Sequence, residues 1–197
     1  MSTAQYCETL WNDWRLGTSD LLLLMVIGIA ISNSLPRWLG ADAVILDLED
    51  AVAPDQKDAA RILVRNTMTY LDFSKVETIV RINSVDTDFW KKDLETILPL
   101  KPTLIMPPKT STAQDVLTVD AYMSGLEDKL GYARNTVKLI PLIETALGLE
   151  NAFQIAAASK RVAALFLGAE DLTADLRCKR TKEGREIEYA LSLIHIS

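Results

Sequence analysis

From residue 43 onward one pattern repeats: a short β-branched or leucine-rich run ends in a polar or charged residue, and a stretch with helical spacing follows. The runs are "AVILDLED" (43–50), "ETIVRIN" (77–83), "TLIMPPK" (103–109), "VKLIPLIE" (137–144) and "VAALFLGAED" (162–171). Between them, "APDQKDAARILVRNTMTYL", "TDFWKKDLETILPL", "TSTAQDVLTVDAYMSGLEDKLG" and "TALGLENAFQIAAAS" place apolar residues three and four apart, as amphipathic helices do. Pro54 and Asp55 mark a helix start, and Gly131 marks a helix end. Alternating units with nearly continuous apolar strands predict a parallel sheet covered by helices.

An open doubly wound sheet and a closed (β/α)₈ TIM-type barrel both fit that pattern. Asp47, Glu49 and Asp50, then Arg81 and Asn83, Lys109, Glu144, and Glu170 with Asp171 all fall at C-terminal strand ends. Barrel enzymes collect catalytic groups there from many strands. A doubly wound sheet concentrates its ligand at one crevice, usually beside a glycine-rich turn. Neither G-x-G-x-x-G nor G-x-x-x-x-G-K-[ST] is present. The barrel is therefore the expectation. Five units are clear and "LLLLMVIGIA" supplies a sixth, whereas a closed barrel has eight and typically about 250 residues. An incomplete barrel of five or six βα units in a single domain is expected.

The 197 residues, 49% of them hydrophobic, suffice for one core. The net charge of −6 comes without any uninterrupted Lys/Arg block, which argues against nucleic acid and anionic membrane as partners. An acidic chain that binds anions needs a local arginine or a metal ion. The longest apolar run, Leu21 to Ile31, is shorter than the roughly 20 residues of a membrane span. Its acidic upstream flank is wrong for a secretory leader, so a buried strand is expected there. Cys7 and Cys178 form no C-x-x-C motif, and a reducing compartment is the default. His195 is the only histidine, which disfavours Ser-His-Asp, Cys-His and histidine-ligated zinc chemistry.

Glu144 and Asp171 end neighbouring strands 27 residues apart, about one βα unit. Two hard oxygen ligands side by side suit Mg²⁺. The bland alternative is that both cap helices or form surface ion pairs. Arg81, at the end of "TIVRIN", can hold a carboxylate through two parallel hydrogen bonds, or can pair with the "DLED" carboxylates. Asp47 and Glu49 share one strand face, and Asp50 points the other way. Three anions so close together are expected to act as supports for a metal, Arg81 and Lys109.

At "GADAVILDLEDAVAPDQKDAAR" the chain resembles the citrate lyase β-subunit-like CoA-ester lyases of the HpcH/HpaI aldolase superfamily. The resemblance continues through "VRIN", "LIMPPKTSTAQDV", "LIPLIETALGLENAFQIAAAS" and "FLGAEDLTADL", over roughly residues 40 to 190. It implies a (β/α)₈ barrel, a Mg²⁺ cofactor, and reversible carbon–carbon cleavage of a 3-hydroxyacyl-CoA thioester of the citryl- or malyl-CoA type. By motif it implies that Glu144 and Asp171 are metal ligands, with Glu144 also catalytic and near substrate. Arg81 would be the catalytic clamp on the substrate carboxylate, and Glu49, Asp50 and Lys109 would support the site. The implied partners are a small-molecule CoA ester and an oxo acid, in a homo-oligomer (trimer or hexamer) of the full-length protein. The implied compartment is the cytoplasm, or the mitochondrial matrix in a eukaryote.

The ends depart from that family. "LLLLMVIGIAISNSLPRW" replaces an arginine-bearing first strand, making residues 1–39 an atypical segment. The tail "LSLIHIS" (191–197) reads as non-native, and strands seven and eight are missing. Two other readings stay open: a superfamily aldolase acting on free hydroxy-oxo acids, and a non-catalytic truncated barrel used for binding or assembly. The missing catalytic histidine argues against the first, and uncovered sheet edges favour the second.

Overall fold

A computed structural model describes residues 23–26 and 41–197. Strand β1 (Leu23–Val26) lies parallel to β2 (Ala43–Asp47), which lies parallel to β3 (Glu77–Arg81). Next come β4 (Leu104–Met106) and β5 (Lys138–Leu139), again parallel. A second parallel pair joins β6 (Leu142–Ile143) to β7 (Phe166–Leu167). The two pieces belong to one wall. Ile140 donates its N–H to Ile105 (3.0 Å) and Leu142 to Pro107 (3.0 Å), so residues 138–143 run along β4 as one strand. Pro141, which has no N–H, interrupts the ladder between β5 and β6. Strand order follows chain order without reversal, as in a (β/α)₈ barrel and unlike a doubly wound sheet. With β5 and β6 counted as one, six successive strands of such a barrel are described. The strand expected within Leu21 to Ile31 is present over β1, and the rest of that run lies outside the described residues.

Helices α1 (Lys57–Tyr70), α2 (Trp90–Ile97), α3 (Ala113–Leu130), α4 (Ala146–Glu150), α5 (Ala152–Ala157), α6 (Ala169–Asp175) and α7 (Glu188–Ile196) fill the connections. Local chemistry sets their ends. Pro54 opens the turn that leads into α1. Thr112 and Asp115 form a capping box at the start of α3, and Gly131 (φ 69°) closes it in the left-handed conformation. Val116, Val119, Met123 and Glu127 form the buried stripe of α3 at three- and four-residue spacing.

Strand alternation divides the apolar residues into two layers. Val44, Leu46, Val80 and Ile105 pack outward with Leu94, Ile97, Val119, Met123 and Ile155 of the helices. Ala43, Ile45, Ile79, Leu104, Met106 and Leu142 form the inner layer, with Phe166 and Ile140 against them. All five residues of β2 are buried, which is why that strand reads as an unbroken hydrophobic run as far as Asp47. The sequence 191–197, set apart above as a tail, continues α7 as far as Ile196, and Leu193 and Ile194 pack against the outer layer.

Candidate active site

The inner face of the sheet carries apolar side chains along its length and polar ones at its C-terminal end. Asp47 follows Ile45, Arg81 follows Ile79 and Glu144 follows Leu142, each two residues on and so on the inner face. These residues meet at one mouth. Arg81 donates from Nε to Asp47 Oδ1 (2.7 Å) and from Nη2 to Asp47 Oδ2 (2.5 Å), a bidentate pair that is almost wholly buried. Its third nitrogen, Nη1, lies 3.4 Å from Glu49 Oε2. Burial works against the guanidinium charge, but Asp47 and then Glu49 and Glu144 outweigh it and hold Arg81 firmly charged.

Lys109 joins this group to Glu144. Its Nζ donates to Glu49 Oε1 (2.7 Å) and approaches both oxygens of Asp50 (3.3 and 3.4 Å). Its backbone N–H donates to Glu144 Oε1 at 2.7 Å. Lys109 does this at φ 51°, in the left-handed region that non-glycine residues avoid. Asp50 reaches Lys109 although strand parity would send it away, because β2 ends at Asp47 and the chain turns. That turn is buttressed by the buried Lys57, whose Nζ donates to the carbonyls of Leu48 (2.8 Å) and Glu49 (2.7 Å).

Glu144 is buried, and its carboxyl is pushed up to about 7. Desolvation is the main cause. The Lys109 N–H opposes it, while the charges of Asp171 and Glu49 add to it. Asp171 stands exposed in the first turn of α6, close enough for its charge to act on Glu144. A Cβ at Gly168 would lie 2.8 Å from Glu144 Cβ and 2.9 Å from Oε2, so only glycine admits Glu144 here. Burial also raises Glu49, against the pull of Lys109 and Arg81.

The structure thus brings Arg81, Glu49, Asp50, Lys109 and Glu144 together, with Asp171 beside Glu144. Sequence reasoning missed two residues that shape the site, Lys57 and Gly168, and had Asp47 only as one of three supporting carboxylates. Asp47 was visible in "DLED", but no pattern tells which of three carboxylates takes the arginine.

A hard divalent cation fits this set. The ligating atoms on offer are carboxylate oxygens without histidine or thiol, as Mg²⁺ prefers. Glu49 Oε2 is buried without a hydrogen-bond partner among the described residues, with the Arg81 Nη1 charge 3.4 Å away. Among those residues no group of three or more His, Cys, Asp or Glu side chains converges on a metal position. Glu144 and Asp171 would therefore supply two ligands and leave the remaining positions to water or substrate.

The HpcH/HpaI aldolase/citrate lyase family profile matches residues 33–196. Citrate lyase subunit beta of Haemophilus influenzae is 39% identical over 149 residues, which are 76% of this chain and 51% of that protein. L-malyl-CoA/beta-methylmalyl-CoA lyase of Cereibacter sphaeroides is 40% identical over 147 residues, 73% of this chain and 46% of the relative. The chain spans about half the length of the curated relatives it matches. Among solved structures, CitE of Mycobacterium tuberculosis in complex with magnesium, acetoacetate and coenzyme A is similar at TM-score 0.60 and 37% identity. That match covers 79% of this chain and 53% of the other. Among the described residues no helix is long and apolar enough to cross a membrane.

Proposed function

The chain belongs to the HpcH/HpaI aldolase/citrate lyase family, and from that premise we propose that it forms the site of a Mg²⁺-dependent carbon–carbon lyase. The substrate would be a 3-hydroxyacyl-CoA thioester of the citryl- or malyl-CoA type, cleaved reversibly to an oxo acid and an acetyl-CoA-type thioester. The carrying observation is the meeting of Arg81, Glu49, Lys109 and Glu144 at one end of the inner face, with Asp171 alongside.

Glu144 and Asp171 would hold Mg²⁺. When bound, the ion would supply Lewis acidity to the oxygen that is hydroxyl in the thioester and carbonyl in the oxo acid, carried by one carbon of the carbon–carbon bond being cleaved or formed. Arg81 already has one edge fixed by Asp47, so little orientational freedom would be lost when a substrate carboxylate meets Nη1, which Glu49 neighbours at 3.4 Å. Lys109 holds Glu144 through its backbone and Glu49 through its ammonium, which keeps both carboxylates in place. In the cleavage direction the hydroxyl loses its proton and its carbon becomes the carbonyl of the oxo acid. The bonding pair leaves with the thioester fragment as an enolate, which then takes a proton. Retaining these groups without a histidine is consistent with that chemistry.

The test is Mg²⁺-dependent cleavage of malyl-CoA and citryl-CoA by this chain, or by a longer protein containing it. Glu144→Gln and Asp171→Asn should each reduce the rate at least a hundredfold, by about 2.7 kcal/mol or more of transition-state stabilisation. Rates unchanged in both variants would remove the site. Cleavage of a free hydroxy-oxo acid with none of any CoA ester would replace the thioester lyase by an aldolase.

A further inference from the structure

We infer that Asp175 is a positioning residue that sets the distance between the two proposed metal ligands, an inference that rests on the Mg²⁺ reading above. Asp175 ends α6, the helix whose first turn carries Asp171. Local chemistry disfavours an acid there. A carboxylate in the last turn of a helix meets the negative end of the helix dipole. Standing four residues after Asp171, it also puts two like charges on one helix face. α6 contains no basic residue to offset either cost.

The contact that offsets them leaves the helix. The Ala146 N–H donates to Asp175 Oδ2 at 2.7 Å, the single side-chain hydrogen bond of Asp175 among the described residues. Ala146 opens α4, so a carboxylate at the unfavourable end of its own helix lies at the favourable end of another. Ala146 also stands two residues beyond Glu144. The bond therefore joins the helix that carries one proposed ligand to the segment that carries the other.

The Glu144 side is anchored without help from α6. The Lys109 N–H holds Glu144 Oε1 (2.7 Å), the hydroxyls of Thr145 and Ser111 lie 2.9 Å apart, and Asn151 Nδ2 donates to the Ser111 carbonyl (2.9 Å). A Cβ at Gly148 would collide with the Thr110 carbonyl oxygen, so α4 sits directly on this loop. α6 is the element still to be placed. Just before its start the Gly168 N–H donates to the Ile143 carbonyl (2.9 Å), and at its end Asp175 reaches Ala146. Its seven residues span about 10 Å, so a tie at each end fixes the helix direction, and Asp171 lies between the two. Without the second tie α6 would rest on the two residue pairs of β6 and β7 and on its two buried side chains, Leu172 and Thr173. Asp175 is not itself a third ligand, since among the described residues no three acidic side chains converge on a metal position.

The test is calorimetric Mg²⁺ titration of this chain and of its Asp175→Ala and Asp175→Asn variants, with hydrogen exchange and thermal melting measured without Mg²⁺. Asparagine loses the charge but keeps an oxygen that accepts from Ala146, whereas alanine loses both. Asp175→Ala should weaken Mg²⁺ about tenfold, as loss of an outer partner of a metal ligand does, and should speed exchange of the Ala146 amide. Asp175→Asn should stay within about threefold of the unaltered chain, because a neutral hydrogen bond keeps roughly half the strength of a charge-assisted one. A purely structural role would lower the melting temperature and leave both affinities alone, since calorimetry reads the folded molecules, and that result overturns the inference. Equal losses in the two variants also overturn it, because Asp175 would then act on the ion through its charge. Ala146 exchange unchanged in Asp175→Ala overturns it as well and leaves the metal site standing. No detectable Mg²⁺ binding by the unaltered chain would count against the metal reading itself and remove this inference with it.

Discussion

At position 168 a single methyl group decides whether Glu144 can stand where it does. The Cβ of an alanine would meet Glu144 Cβ and Oε2 at distances real contacts do not tolerate. Gly168→Ala should therefore displace the carboxylate, cost about 1–3 kcal/mol of stability in urea unfolding, and weaken Mg²⁺ binding measured by calorimetry. Lys109 gives a complementary case, because its backbone and its ammonium act separately. Lys109→Gly loses the ammonium but relieves the left-handed strain, whereas Lys109→Ala loses the ammonium and keeps the strain. The alanine variant should be the less stable of the two by about 1 kcal/mol in the same assay. Arg81, Glu144 and Lys109 were legible because each ends an apolar run. Gly168 was not: "FLGAED" reads as an ordinary strand-to-helix turn, and the need for glycine comes from a side chain 24 residues earlier in the chain.

At the scale of elements, buried ion pairs fix how helices meet strands. Asp93 of α2 is fully buried and accepts from Arg61 Nε of α1 (2.6 Å) and from the N–H (2.8 Å) and Nδ2 (2.7 Å) of Asn83. Asn83 Nδ2 also donates to the Leu48 carbonyl (3.0 Å), so this cluster reaches the turn that carries Glu49. Asp93→Ala leaves the buried Arg61 guanidinium only its pair with the exposed Asp58 and should cost about 3 kcal/mol, read as a lower urea midpoint. Arg161 does the same on the other side, bonding both Glu127 oxygens (2.8 Å each) and Asp120 (2.7 Å). Burial alone would raise both carboxyls. For Asp120 the Ser159 hydroxyl and Arg161 reverse that, and for Glu127 Arg161 with the Val137 and Asn135 N–H groups does so. Both therefore bind a proton less readily folded than unfolded. Their stabilisation is complete above the ordinary values of 4.5 and 3.8 and is lost as pH falls below them. A Glu127→Gln variant should lose stability at neutral pH and show a shallower acid-unfolding slope below about pH 4.5. The alternation of strands and helices was readable from periodicity, yet neither lock was, since the partners lie 34 and 41 residues apart for Arg161 and 32 for Arg61. The break at Pro141 was equally hidden within one apolar run.

At the scale of the molecule, the wall of strands is less secured where the proposed metal would sit than at β2 and β3. β6 and β7 share only two residue pairs, Leu142 with Phe166 and Ile143 with Leu167, and β7 is half-buried. β2 and β3 share five pairs and are almost wholly buried. Glu144 follows β6 and Asp171 follows β7, so an ion held by both carboxylates would tie the weak seam together. It would also lower the cost of holding two negative charges side by side, the repulsion that helps push Glu144 up to about 7. Ligand bound only to the folded state stabilises it by about 2.7 kcal/mol at a hundred times its dissociation constant. Saturating Mg²⁺ should accordingly raise the melting temperature, and hydrogen exchange should slow over residues 166–175 more than over β2 and β3. Asp171→Asn should abolish both effects while leaving the melting temperature without Mg²⁺ unchanged or higher, because the substitution removes a repulsive charge. A rise in melting temperature that survives Asp171→Asn, or protection spread evenly over the sheet, would place the ion away from this seam.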